Sequence, residues 1–157
     1  MNQNIKRNFR KVNVIIKSEQ FHQDIPPIVI ENNTEGELIR FDSGWKIVYR
    51  ETAESGLENT VTTILVSDNN NVRMDRSGLN TVAMEFVAGK NHTSIMNTPY
   101  GSITISFMTN KVEADINESG GTINLSYSIN SFGEYPVRTN LNISVGTDGQ
   151  RGKYNWK

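Results

Sequence analysis

The sequence predicts an all-β protein, a single antiparallel up-and-down β-barrel of about 8–10 strands. Apolar and polar residues alternate with a period of two along many short segments, which places one set of side chains on each face of a strand. Gly, Asn, Asp and Pro separate these segments at intervals of about 8–12 residues. Because nearly every connection is short, the pattern favours a meander that closes on itself and has no exposed edges. The best helical candidate is one short piece over residues 19–24.

The first half of the chain has turn signals between its candidate strands. Pro26-Pro27 favours an extended entry to the following strand. Asp42-Ser43-Gly44 supplies the glycine that a short hairpin needs, and Asp68-Asn69-Asn70-Asn71 predicts a tight turn because Asn and Asp tolerate left-handed backbone. The strands predicted here cover residues 12–17, 28–30, 38–42, 45–52, 60–67 and 72–77.

The second half shows the same organisation, and its last two strands alternate most regularly. Gly89-Lys90-Asn91 and Thr98-Pro99-Tyr100-Gly101 predict turns. Such alternation is typical of an antiparallel sheet with one wet and one dry face. The predicted strands cover residues 81–88, 92–97, 102–109, 111–117, 123–130 and 140–145.

Length and composition predict one domain and exclude several classes of protein. The 157 residues match the usual size of one domain, with a core over about 12–146, a basic N-terminal arm over 1–11 and a tail over 147–157. The absence of cysteine excludes a disulfide scaffold, a cysteine nucleophile and a cysteine-ligated zinc site. A net charge of −1 argues against nucleic acid as a partner. No apolar run is long enough for a membrane span or a signal peptide, so we expect a cytoplasmic protein without a membrane partner.

The positive charge at the N-terminus has two interpretations. Five basic residues precede the first acidic one: Lys6, Arg7, Arg10, Lys11 and Lys17. They could form an arm that binds a polyanion or a protein partner. Alternatively, they belong to a basic first strand that lies beside acidic neighbours, which we favour because basic and apolar residues alternate here.

An ordered set of motifs resembles a known family. The motifs are Tyr49-Arg50-Glu51-Thr52, Gly56-Leu57, Thr60-Val61-Thr62-Thr63, Val72 with Arg76 and Gly78, Met84 with Phe86, Thr98-Pro99-Tyr100-Gly101, Gly121 with Ile123-Asn124-Leu125-Ser126-Tyr127, and Asn140-Leu141-Asn142-Ile143. Together they resemble the YwiB-type proteins, an uncharacterised family of low-GC Gram-positive bacteria, over residues 12–145. The resemblance implies a calycin-type barrel, similar to lipocalins and streptavidin, in a bacterial cytosol. It implies no activity, so it carries over no catalytic residues.

Strand phase predicts a carboxylate and a guanidinium inside the barrel. Glu51 shares a strand face with Ile47 and Tyr49, and Arg76 shares one with Met74. Because an isolated buried charge is very costly, the two groups should pair with each other. Alternatively, Arg76 faces a cavity and binds an anionic ligand through its planar fork. A slip of one residue would reverse both assignments.

Three tyrosines combine an apolar body with a hydroxyl. Tyr49, Tyr100 and Tyr127 could be core residues with satisfied hydroxyls, or they could line a ligand cavity in the barrel mouth. The predicted ligand-binding residues are therefore Tyr49, Glu51, Arg76, Tyr100 and Tyr127.

No pattern of residues indicates catalysis, a metal site or a cofactor. The two histidines, His22 and His92, lack the spacing of a zinc enzyme. His92 at a strand start could be an axial haem ligand, but a histidine at the surface or barrel rim is the preferred interpretation. We predict no catalytic residues, no metal and no cofactor.

The sequence supports two main hypotheses for function. The first is a non-enzymatic binding module that holds a small, partly apolar, anionic ligand in the barrel interior or mouth. The alternative is a structural or interaction protein with a packed interior, which acts through its surface or as a homodimer. An enzyme is the third and least favoured hypothesis.

Overall fold

Ten strands make up most of the residues that the structure describes. The computed structural model describes residues 9–130 and 135–147. A short 3-10 turn, Ala53–Ser55, follows the third strand. The strands are β1 (Phe9–Phe21), β2 (Ile28–Phe41), β3 (Gly44–Arg50), β4 (Thr60–Ser67), β5 (Val72–Gly78), β6 (Val82–Phe86), β7 (Asn91–Thr98), β8 (Gly101–Asn117), β9 (Gly120–Asn130) and β10 (Val137–Thr147).

The strands form one antiparallel sheet that closes almost completely. Its order is β6-β5-β4-β3-β2-β1-β10-β9-β8-β7, so strands that are neighbours in the sequence are neighbours in the sheet. The two outer strands meet where the Thr81 N–H donates to the Asn97 carbonyl at 3.0 Å and the Asn97 N–H donates to the Thr81 carbonyl at 2.9 Å. The predicted up-and-down barrel is thereby confirmed.

The twelve predicted segments correspond to ten strands, because two of the strands were each predicted as two segments. β4 has the predicted bounds, whereas the segments predicted at 28–30 and 38–42 both belong to β2. The two segments predicted around Asn110 form the single strand β8, with a shift in register between Thr109 and Lys111. The helical candidate at 19–24 was wrong, because β1 continues to Phe21 and Asp24 lies in the following turn.

The two ends of the barrel differ in the connections that they carry. One end carries the connections at 22–27, 51–59, 79–81 and 99–100, and we call it the open end. The filled end carries the connections at 42–43, 68–71, 87–90 and 118–119. The apolar core fills the second end. Its fully buried side chains include Val12, Val14, Leu38, Ile64, Val72, Met74, Phe86, Ile123 and Ile143.

The basic residues of β1 lie beside acidic residues of neighbouring strands. Lys11 is opposite Glu37 and Lys17 is opposite Glu31 on β2. Arg10 and Lys11, which the sequence had placed in the arm, are part of β1. The interpretation as a basic strand beside acidic neighbours therefore fits these positions. Residues 1–8 of the predicted arm, and the predicted tail beyond Thr147, lie outside the described residues.

Helical structure is scarce in this fold. Within residues 9–130 and 135–147, no helix has the length and apolar character needed to cross a membrane.

Candidate binding cavity

A cavity of about 270 Å³ occupies the open half of the barrel. The core residues of the filled end form its floor, through Phe107 and Tyr127. Most of its wall is apolar. Leu57, Val82, Met84, Met96, Ile105 and Ile129 all contribute to it. The interior is therefore packed at one end and hollow at the other, and the hollow half is where a molecule could be enclosed.

One row of inward-facing residues runs across five strands beside this cavity. Gly36, Tyr49, Thr62, Arg76 and Val82 occupy directly opposite positions on β2, β3, β4, β5 and β6. Alternation along each strand turns these positions toward the interior. The row explains why residues distant in the sequence meet in one wall.

Glu51 follows the end of β3 and is held by neighbours on both sides. Its backbone N–H donates to the Thr60 carbonyl at 2.9 Å, which extends the pairing with β4. The Thr62 hydroxyl donates a hydrogen bond to Glu51 Oε2. The same oxygen lies 3.7 Å from Arg76 Nε, and the carboxylate side chain is only 4% exposed. The predicted pairing of Glu51 with Arg76 is therefore present in the structure.

Arg76 has hydrogen-bonding capacity beyond this ion pair. The 3.7 Å separation from Glu51 is within ion-pair range but longer than a hydrogen bond. Nε is buried and has no hydrogen-bond partner among the described residues. The side chain lines the cavity and is 24% exposed. Because a guanidinium offers five N–H donors, Arg76 can bind an anion while Glu51 balances its charge.

Tyr49 and Tyr127 place two phenols in the same wall. Burial raises the pKa of Tyr49, and the nearby Glu51 carboxylate raises it further. Burial also raises the pKa of Tyr127, against an opposing effect of Arg76. Tyr127 packs against Phe86, with 4.8 Å between ring centroids. Both phenols therefore stay neutral at physiological pH and can donate hydrogen bonds.

Tyr100 does not line the cavity, unlike the other four predicted ligand-binding residues. The residue lies in the tight turn between β7 and β8 and is 99% exposed. Its backbone N–H donates to the Thr98 hydroxyl at 3.1 Å, which stabilises the turn. A turn residue has no strand phase, so its side chain is not directed into the barrel.

The sequence analysis missed the polar residues that line the cavity from β1 and β2. Ser18, Gln20 and Asn32 all lie in the cavity wall. Each occupies an inward phase of its strand, where a core residue would be apolar. A polar residue at an inward position is a signal for a cavity wall. Here these residues interrupted the alternation of apolar and polar residues, so the strands that contain them were predicted incompletely.

The two histidines lie apart from each other. The His92 ring stacks on Phe107, with 6.0 Å between centroids and an angle of 9° between planes. His22 lies 3.3 Å from the Gln20 side-chain oxygen. Among the described residues, no three His, Cys, Asp or Glu side chains are grouped so that they could hold a metal ion.

Some grooves on the outer surface have a larger volume than the interior cavity, but exposed charged residues line the example described here. One of about 680 Å³ runs past Lys11, Glu35, Glu37 and Arg50. All four side chains are outward-facing and in contact with solvent. The interior cavity is the better candidate because it combines an apolar wall with buried polar groups.

Comparisons with known proteins agree with this architecture. A family model described as "Domain of unknown function (DUF1934)" matches residues 14–143. The crystal structure of the ywiB protein from Bacillus subtilis is similar, with a TM-score of 0.80 and 21% sequence identity. The similarity covers 94% of this chain and 98% of that chain. The comparison with curated proteins found no match.

Proposed function

The chain belongs to the family described as a domain of unknown function (DUF1934), as its motifs predicted, and we propose that its barrel is a binding module for a small, partly apolar anion. One observation carries this proposal. Arg76 lines an interior cavity with a largely apolar wall, and its Nε is buried without a hydrogen-bond partner among the described residues. We propose binding in a bacterial cytoplasm, without turnover and without a cofactor.

The size of the cavity limits the ligand. An apolar cavity of about 150 Å³ is known to hold benzene, whereas pockets for drug-sized molecules measure roughly 300–1,000 Å³. At about 270 Å³, the cavity suits a molecule of roughly ten to fifteen non-hydrogen atoms. Short or branched alkyl carboxylates and aryl carboxylates fall within this range.

The charges favour an anion over a cation. Glu51 accepts from Thr62 and faces Arg76, so its charge already has partners. Arg76 faces Glu51 through Nε, which has no hydrogen-bond partner among the described residues, and the Arg76 side chain lines the cavity. Since a planar guanidinium can bind two carboxylates along different edges, an anion can join without displacing Glu51.

The test is a titration with a matched control variant. Octanoate and 3-phenylpropionate, with their uncharged amides for comparison, are titrated into the protein by calorimetry, and native mass spectrometry detects any retained molecule. We expect R76Q to weaken carboxylate binding at least tenfold. R73Q should leave it unchanged, because Arg73 lies on the outer face of β5 and pairs with Asp75 and Glu85. Equal binding by the two variants, or no binding to the wild type, would overturn the proposal.

A second hypothesis, action through the surface or as a homodimer, also has a specific observation in its favour. Large apolar side chains are exposed around the open end, where Ile25 is 50%, Leu79 54% and Tyr135 72% exposed. Exposed apolar side chains at one end of the barrel are surface that a protein partner or a second copy could cover. Native mass spectrometry separates the hypotheses, since this one predicts a dimer or a bound protein that L79S weakens while R76Q does not.

A further inference from the structure

Asn32 is a second buried polar group in the cavity wall. The residue is only 5% exposed, and its Oδ1 accepts a hydrogen bond from the Thr52 hydroxyl at 2.6 Å. Its Nδ2 is buried and has no hydrogen-bond partner among the described residues. The carboxamide thus has one satisfied end and one unsatisfied end.

The position of Asn32 in the sheet explains why only one end of its amide has a hydrogen-bond partner among the described residues. On one side β2 pairs with β1, where Asn32 lies opposite Ile16, another residue of the cavity wall. On the other side β3 has already ended at Arg50, and the segment that contains Thr52 takes its place. The hydrogen bond from Thr52 therefore fixes the Oδ1 end of the amide, and Nδ2 is left unsatisfied among the described residues in a side chain that lines the cavity.

A buried donor without an acceptor is costly, and in native proteins most such groups have a partner. A strand residue that faces an apolar interior would ordinarily be Val, Ile or Leu. Asparagine at this position makes sense if a ligand supplies the missing acceptor. Because the amide is neutral, the acceptor that suits it is a neutral oxygen, whereas a carboxylate suits Arg76.

Building on the proposed function, we infer that the ligand is a small carboxylate with a second oxygen acceptor, a ketone or amide carbonyl, that receives the Asn32 Nδ2 hydrogen bond while Arg76 binds the carboxylate. Two polar anchors in an otherwise apolar wall would fix the orientation of the molecule. Oxo acids and N-acyl amino acids of about ten to fifteen non-hydrogen atoms have this chemistry.

The test compares ligands with the same carbon chain that differ in the position of one carbonyl group. Octanoate and its 2-oxo, 4-oxo and 7-oxo derivatives differ only in the position of one oxygen, so their affinities isolate the carbonyl. We expect at least one oxo derivative to bind the wild type about tenfold more tightly than octanoate. In N32L that preference should disappear while octanoate still binds. N33L is the control, since Asn33 is the exposed neighbour on the same strand.

The outcomes separate this inference from the proposal on which it rests. If octanoate binds in an Arg76-dependent manner but no oxo derivative is preferred, the inference fails and the proposed function stands. A preference that persists in N32L also overturns it. If none of the four carboxylates binds the wild type, both fail. The comparison in the wild type does not depend on the folding of any variant, and N32S provides a second variant if N32L is unstable.

Discussion

Gly36 and Tyr49 stand directly opposite each other on β2 and β3, and a β-carbon on Gly36 would lie 3.1 Å from the Tyr49 Cβ. The same atom would lie 2.5 Å from the Val48 carbonyl oxygen and 3.2 Å from a methyl group of Val14. Contacts below 3.0 Å to backbone require the strands to move. The missing side chain at Gly36 therefore allows the close approach of β2 and β3 at the point where Tyr49 joins the cavity wall.

We predict that G36A destabilises the protein by about 1–3 kcal/mol, because the added methyl group overpacks a closed sheet. Urea unfolding measures the free energy of unfolding. E37A is the control, because Glu37 is the exposed next residue of β2, and its effect should stay within about 0.5 kcal/mol. Equal stability of G36A and the wild type would contradict this account of Gly36.

The difference between the two halves of the barrel predicts that the same change, Val to Phe, costs more stability in one half than in the other. Val72 is 1% exposed and lies in the filled half, whereas Val82 lines the cavity. V72F should cost about 1–3 kcal/mol of stability, since no space is available for the ring. V82F should cost less than about 1 kcal/mol, because its ring can enter the cavity.

The same two variants also test the cavity as a binding site. Because the ring of V82F would occupy the ligand's volume, carboxylate binding should fall at least tenfold in V82F. V72F should keep the wild-type affinity. If V82F and V72F destabilise the protein equally, the open half is as tightly packed as the filled half.

The ion pair of Glu51 and Arg76 predicts that R76Q and E51Q lose different amounts of stability. R76Q leaves a carboxylate that is 4% exposed without a cation, whereas E51Q leaves a guanidinium that is 24% exposed. Because the more buried charge is harder to leave unpaired, R76Q should lose more stability, about 1–3 kcal/mol. The double variant should lose about 1 kcal/mol less than the sum of the single losses. Additive losses would show that the pair contributes no interaction energy.

Much of the barrel could be predicted because most inward positions are apolar. The alternation on β3, β5 and β9 assigned Tyr49, Glu51, Arg76 and Tyr127 to the interior, and all four line the cavity. These assignments needed only strand phase, which is a local property of the sequence. That the residues lie around one cavity depends on the closure of the sheet, which strand phase alone does not determine.

The errors have physical causes in particular residues. β2 was divided because its inward positions between Ile30 and Leu38 are Asn32, Thr34 and Gly36, which lack apolar character. β8 was divided because the irregularity at Asn110 changes the inward phase from Phe107 to Val112. A strand that lines a cavity or carries a bulge loses the simple alternation that reveals strands.

The buried phenols predict how stability depends on pH at the alkaline end. Burial raises the pKa of Tyr49 and of Tyr127 in the folded protein. In the unfolded chain both phenols titrate near pH 10. Above about pH 10 the unfolded state therefore binds fewer protons than the folded state, and the free energy of unfolding decreases as pH rises. Below that pH the contribution of both groups is fully present.

We expect the free energy of unfolding to fall above about pH 10 by up to about 1.4 kcal/mol per pH unit for each phenol. Urea unfolding between pH 8 and pH 11 measures the slope. In Y49F and Y127F the slope should decrease by the contribution of one phenol, and in the double variant by both. The contributions of groups that all the variants share cancel in the comparison. If the double variant keeps the wild-type slope, the phenols are not the groups that link folding to pH.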